Sequence, residues 1–239
     1  MKVDILAFGS HPDDVELGCG GSILSAISQG LKVGIIDLTK GELGTRGTPE
    51  IRKKESEKAS EILGVSFRKN LDFKDGFFIN DKEHQLKVVE VLREHKPSII
   101  FCNAVKDRHI DHPKGSKLVS DSCFLSGLSK INTNYKNSKN QLPWTPKQIY
   151  HYIQWFDLKP DILIDISEFQ EKKMKAIMAY ESQFYNPKST EPNTPISSKS
   201  FIDSIKQRDQ NFGRISGVDA AEGFTLERPP VIKDIKGII

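Results

Sequence analysis

The chain has 239 residues, 37% of them hydrophobic and 28% charged, with a formal net charge of +3. That composition fits one globular domain with a real core and excludes disorder. Lysines and acids are interleaved throughout, with no basic stripe carrying aromatics, which speaks against a nucleic-acid partner.

In chain order, VDILAFG (3–9) reads as a buried strand, and SHPDD follows it directly. GGSILSAISQG (20–30) reads as a helix closed by glycine, and KVGIIDLT (32–39) as a second apolar strand. The glycine-rich KGELGTRGTP then leads into a helix over 49–63 with proline in its first turn. FRKNLDF reads as a short strand, KEHQLKVVEVLREHK as an amphipathic helix and PSIIFCN as a further strand. Helical spacing follows DRHIDHPKG to about residue 128. Polar residues 131–146 are expected to form an exposed loop. QIYHYIQW and DILIDIS read as strands, 168–181 as a helix and 182–197 as a second exposed loop. A last helix over 198–212 precedes GVDAAEGF. There is no internal repeat, so 1–239 is expected to be one domain.

Strand and helix in alternation predict an α/β fold: three Rossmann-like layers, a mostly parallel central sheet and helices on both faces. Ligands of such sheets bind at the carboxyl ends of the strands. SHPDD, GELGTRG and DRHIDH each follow a strand and so fall on one edge.

Two adjacent carboxylates repel each other, and a divalent cation removes that difficulty while also using an imidazole. His11, Asp14 and His112, if they converge, place two nitrogens and one oxygen around a metal with a position left for water, the pattern of a catalytic zinc site. The same donors suit ferrous iron (Fe2+). Asp13, beside a ligand, is then placed as general base. His109 is placed to stabilise an oxyanion or protonate a departing amine, and Asp111 to hold the His109 tautomer. Taken alone, HPDD could instead cap a helix and HIDH could be a solvated turn. The pair on one sheet edge favours a metal.

Other features are weaker. GCGG (18–21) opens a helix, but Cys19 and Ser22 break the GxGxxG spacing of a nucleotide loop. Arg46, on the same edge, is a candidate substrate contact, although a surface salt bridge with Glu50, Glu55 or Glu57 is the simpler reading of it. Arg52 is open between that role and binding a substrate carboxylate. Tyr185 is packing or a mobile hydroxyl over the site. His84, His95 and His151 have no companions in the sequence and read as surface or core residues. The three cysteines, Cys19, Cys102 and Cys123, are widely spaced and imply no disulfide framework. No apolar run approaches a membrane span and no signal-peptide pattern is present, so the expected location is the cytoplasm, with no membrane partner.

AFGSHPDDVELGCGG, DLTKGELGTRGTPEIRKKE, KDRHIDHPKG, YESQFYNP and AEGF together resemble the LmbE-like (PIG-L) family of metal-dependent N-deacetylases, over nearly the whole chain. Length, the GTPEIR helix start and the AEGF segment are most similar to its bacillithiol-biosynthesis branch. That resemblance implies a Rossmann-like fold and removal of acetyl from N-acetylglucosaminyl malate. It implies His11, Asp14 and His112 as zinc ligands, Asp13 as base and His109 with Asp111 on the oxyanion side. It also implies Arg52 on the aglycone side, Tyr185 near the substrate, and a trimer or hexamer. Ser10 stands where the family usually has alanine. The rival readings are another N-acetylglucosaminide as substrate, amidase action on thiol conjugates, a nucleotide-binding oxidoreductase or binding module, and a non-catalytic metal-binding protein.

Overall fold

The computed structural model describes residues 1–135 and 139–232. Five strands run parallel: β1 (Ile5–Gly9), β2 (Val33–Thr39), β3 (Phe67–Phe73), β4 (Ile99–Cys102) and β7 (Gln148–Tyr152). With β8 (Ile162–Asp165) and β9 (Ala221–Leu226) they form a seven-stranded sheet in the order β3-β2-β1-β4-β7-β9-β8. Strand β9 runs antiparallel to both its neighbours. It lies in the segment to which the sequence analysis assigns no element, because alanine, glutamate and glycine in AEGF dilute the β signal.

Side chains alternate across the sheet as a two-residue period requires. Leu6, Phe8, Ile36 and Leu38 face a core shared with α3 (Lys82–His95) and α4 (Asp111–Ser126). Ile5, Ala7, Val33 and Ile35 face the opposite core with α1 (Asp14–Ser28), α2 (Pro49–Leu63) and α5 (Gln170–Ile177). Helix α6 (Lys199–Ser216) packs on β9. This is the expected three-layer α/β architecture.

Helix α1 begins six residues earlier than the sequence pattern suggests, at Asp14, and kinks at Cys19, whose φ/ψ of −147/20° is not helical. The glycines around the kink let the helix approach its neighbours. A Cβ on Gly18 would come 2.1 Å from the Tyr152 ring, and one on Gly21 would come 2.7 Å from Ile166. The Gly21 and Ser22 N–H groups donate to Glu222 at 3.0 and 2.7 Å, so this turn has no free N–H pair for a phosphate. That removes the physical basis of the nucleotide-loop reading. Glu222 also pairs with the fully buried Lys173 Nζ at 2.8 Å, which pairs with Asp209 at 2.6 Å.

In the expected loop 131–146, β5 (Asn134–Tyr135) pairs with β6 (Lys139–Asn140), and 136–138 lie outside the described residues. The segment 182–197 is less exposed than expected, since Gln183, Phe184 and Ser197 are buried. Among the described residues, no helix is long and apolar enough to cross a membrane.

After β1 the chain builds β2 and β3 on one side, then crosses to β4 on the other. The strand order reverses between β1 and β4, which makes the crevice outside their carboxyl ends the natural ligand site of such a sheet. SHPDD leaves β1 and DRHIDH leaves β4 at that switch point.

Candidate active site

The two loops are tied together before any ligand is considered. Ser10 N–H donates to Asn103 Oδ1 at 2.8 Å, and Ser10 Oγ donates to the Asp111 carbonyl at 2.9 Å. The Ser10 hydroxyl therefore joins the end of β1 to the start of α4.

Asp14 stands at the centre. Its Oδ2 accepts from the His11 N–H and from Asn103 Nδ2, both at 3.0 Å, and its Oδ1 accepts from Gln154 Nε2 at 3.0 Å. His112 Nε2 lies 3.1 Å from Asp14 Oδ1, and His11 Nδ1 lies 3.5 Å from Oδ2. Thus the structure brings together the three residues that the sequence marks as ligands. Each imidazole also sets its far nitrogen against a carboxylate. His11 Nε2 is 3.0 Å from Asp75 Oδ1 and 3.4 Å from Asp111 Oδ2. His112 Nδ1 is 3.0 Å from Asp107 Oδ1, close as an ion pair, although its N–H is not aimed along a hydrogen bond.

Burial lowers the proton affinity of both rings, and the surrounding carboxylates more than reverse it. His11 is held well above the usual histidine range, and His112 is raised to about 9. Burial raises the Asp14 pKa, and the two histidines outweigh it, holding Asp14 well below the usual carboxylate range. Two buried nitrogens and a carboxylate oxygen that draw positive charge, with carboxylates behind the rings, fit a divalent cation. Ring nitrogens of His11, His109 and His112 lie within 4.8 Å of one another, as do ligand atoms of His11, Asp75 and Asp111. In the second group the carboxylates are already engaged: Asp75 accepts the Leu43 N–H at 2.9 Å, and Asp111 accepts the Gly76 N–H at 2.7 Å and Lys114 Nζ at 2.8 Å. Asp75 and Asp111 therefore orient His11.

Asp13 adopts φ 112°, a left-handed conformation that costs a non-glycine residue about 1–3 kcal/mol. Its side chain makes no cap bond to α1, so the helix-cap reading of HPDD fails. The carboxylate instead accepts from Arg52 Nη2 at 2.9 Å. Burial pushes its pKa up, Arg52 opposes and Asp14 adds to the rise, leaving it at about 7. His109 is lowered to about 4, first by burial and then by the charges of His11 and His112, so it is neutral. Its Nδ1 accepts the Asp111 N–H at 3.3 Å, which leaves the proton on Nε2. Its ring stacks on His112 with centroids 5.0 Å apart.

Several expected roles change. The Asp111 carboxylate faces His11, and only its backbone N–H reaches His109. Arg52 is neither a surface residue nor aimed outward. It is buried and donates to the Pro12 carbonyl at 2.6 Å, the Gly41 carbonyl at 3.2 Å and Asp13. Arg46 is also buried, where it bonds Glu191 and Ser189 and ties the 182–197 segment to the cavity. Tyr185 is exposed and does not line the cavity, whereas Gln183, two residues earlier, does. His151 has companions after all: Glu227 at 3.1 Å and Cys102 at 3.2 Å, away from the cavity.

Sequence reasoning missed Asn103, Gln154, Asp75 and Asp107. Asp75 and Asp107 carried a usable signal, since KDG follows β3 and DRH follows β4 on the same edge. The cavity above these groups measures about 570 Å³. An open face beside a buried N/N/O donor set, at the switch point of a three-layer α/β sheet, defines a candidate metallohydrolase.

Comparison with known proteins narrows that class. The family model "PIG-L: GlcNAc-PI de-N-acetylase" matches residues 6–123. A diacetylchitobiose deacetylase from Thermococcus kodakarensis is 30% identical over 190 residues, covering 75% of this chain and 70% of the relative. The crystal structure of a conserved protein from Thermus thermophilus superposes with a TM-score of 0.86 at 36% identity, covering 98% of each chain. A probable N-acetyl-alpha-D-glucosaminyl L-malate deacetylase 2 from Bacillus cereus is 26% identical over 207 residues, covering 77% of this chain and 84% of the relative. The chain belongs to the PIG-L (LmbE-like) family of metal-dependent deacetylases.

Proposed function

We propose that this protein hydrolyses the acetamide of an N-acetylglucosaminide, releasing acetate and a free amine. The observation that carries the reading is the meeting of His11, Asp14 and His112 beneath an open cavity, with Asp13 and His109 beside them. Those three residues would hold the cation, zinc in our reading, with ferrous iron as the alternative for the same donors. When bound there, a divalent cation supplies Lewis-acid polarisation of the amide carbonyl and acidifies water.

The chain's own residues do the rest. The Asp13 carboxylate, raised to about 7 and steered by Arg52, takes a proton from the attacking water as its oxygen bonds to the carbonyl carbon. Neutral His109 offers its Nε2–H to the oxygen that gains negative charge. The C–N bond then breaks, and the nitrogen leaves with the proton from Asp13.

The malate conjugate expected from the sequence has limited support. Relatives named for it are 24–26% identical, whereas the diacetylchitobiose deacetylase is 30% identical. The proposal therefore stands at the level of an N-acetylglucosaminide, with the malate conjugate as one candidate. The three buried free cysteines suit the reducing cytoplasm we infer for it.

An amine-release assay on N-acetylglucosaminyl malate and N,N'-diacetylchitobiose tests the reading. Release is expected from at least one substrate, abolished by a chelator and restored by added Zn2+. Release that survives exhaustive chelation would contradict it.

A further inference from the structure

Helix α1 interrupts its own hydrogen-bond ladder at the kink, and a side chain from α6 takes up the carbonyl involved. An unbroken helix would aim the Gly21 N–H at the Leu17 carbonyl, four residues back. Gly21 donates to Glu222 instead, at 3.0 Å. The Leu17 carbonyl accepts from Arg208 Nη2 at 2.8 Å. Leu17 also belongs to the first turn of α1, because its N–H donates to the Asp13 carbonyl at 3.0 Å. That turn carries the strained Asp13 backbone and the Asp14 side chain.

The other arm of the same guanidinium reaches the loop after β7. Arg208 Nη1 donates to the Gln154 carbonyl at 2.5 Å. The peptide that carries this carbonyl presents its N–H, that of Trp155, to Asp107 Oδ2 at 2.8 Å. A trans peptide points its C=O and N–H in opposite directions, so this unit is gripped from both sides. The other oxygen of Asp107 lies 3.0 Å from His112 Nδ1. The Gln154 side chain donates to Asp14 Oδ1 and accepts from Asn103 Nδ2, both at 3.0 Å.

One guanidinium thus stands behind both Asp14 and His112 while touching neither. Arg208 borders the cavity, yet both its terminal nitrogens are committed to protein carbonyls, and its Nε lies 3.8 Å from Asp209 Oδ1. Two carbonyls on separate elements call for two N–H donors in a fixed fork, which arginine has and lysine lacks.

We propose that Arg208 is a positioning residue of the metal centre: by clamping the Leu17 carbonyl and the Gln154–Trp155 peptide, it holds Asp14 and His112 in register without contacting substrate. The inference rests on the deacetylase reading above for its kinetic consequence, and on the His11, Asp14 and His112 donor set for its effect on metal binding.

The test measures Arg208→Ala in two ways. Zinc affinity of the metal-free chain is read by competition with a chromophoric chelator, and kcat and KM are read by amine release from whichever of N-acetylglucosaminyl malate and N,N'-diacetylchitobiose the wild type turns over. Zinc affinity and kcat should each fall by about 10–100-fold, the usual cost of removing a group that orients a metal ligand. KM should stay close to the wild-type value, because no substrate contact is lost. Arg208→Lys keeps the charge and one donor, so it should lie between, and it carries the same two readings if Arg208→Ala does not fold. Zinc affinity or kcat at the wild-type level in the folded variant overturns this inference and leaves the deacetylase reading standing. A rise in KM alone makes Arg208 a substrate contact and also overturns it. No amine release by the wild type overturns the deacetylase reading, and the zinc competition then decides the role of Arg208 by itself.

Discussion

Asp13→Asn is expected to lower turnover by about 10²–10⁴-fold, the usual contribution of a positioned general base, while metal content stays at the wild-type level. Asparagine is nearly isosteric and tolerates the left-handed backbone that Asp13 adopts at φ 112°, so the fold should survive. What is lost is the acceptor for the water proton. The amide cannot take that proton, and Arg52 loses its charged partner at 2.9 Å. Amine-release kinetics and elemental analysis of the same preparation decide the matter. Near-normal turnover would show that Asp13 is not the base. Loss of metal along with activity would make its role one of holding the site together.

The largest expected effect on stability lies behind the site. Glu222→Ala removes the acceptor for the Gly21 and Ser22 N–H groups and the Ser22 hydroxyl, and one of the two anions paired with Lys173. Lys173 and Asp209 are fully buried, so neither the stranded charge nor the unpaired N–H groups can turn to water. Breaking such a buried cluster costs about 3–5 kcal/mol. For a chain of this size, that lowers Tm on the order of 10 °C. Calorimetric melts of the wild type and Glu222→Ala, with Glu222→Gln between them, measure it. An unchanged Tm for Glu222→Ala would mean that the cluster contributes nothing net. Because Glu222 grips the middle of α1, and Asp14 opens that helix, the stability of this cluster and the order of the site are linked.

The parts of the site legible in the sequence are those written as local motifs. HPDD and HxDH bring their own spacing, and their placement after strands of a parallel sheet put them on one edge. What could not be read locally depended on packing. Arg52 lies four residues into an amphipathic helix, and only the helix's seating shows that its guanidinium turns inward to Asp13. Asp111 is two residues from His109, yet the first turn of α4 aims its carboxylate at His11. Asn103 and Gln154 follow β4 and β7 as single polar residues with no motif around them; their grip on Asp14 exists only once those strands pair. Strand β9 was invisible for a similar reason. Its Gly223 and Ala221 carry little strand propensity, and the pairing with β7 and β8 holds it in the sheet.

The central claim is that one cation sits among His11, Asp14 and His112, and anomalous X-ray diffraction from crystals grown with Zn2+ tests it most directly. The expected map has a single strong peak within bonding distance of His11 Nδ1, Asp14 and His112 Nε2, and His112→Ala removes it. A peak elsewhere, or none at that position in the wild-type protein, would contradict the account.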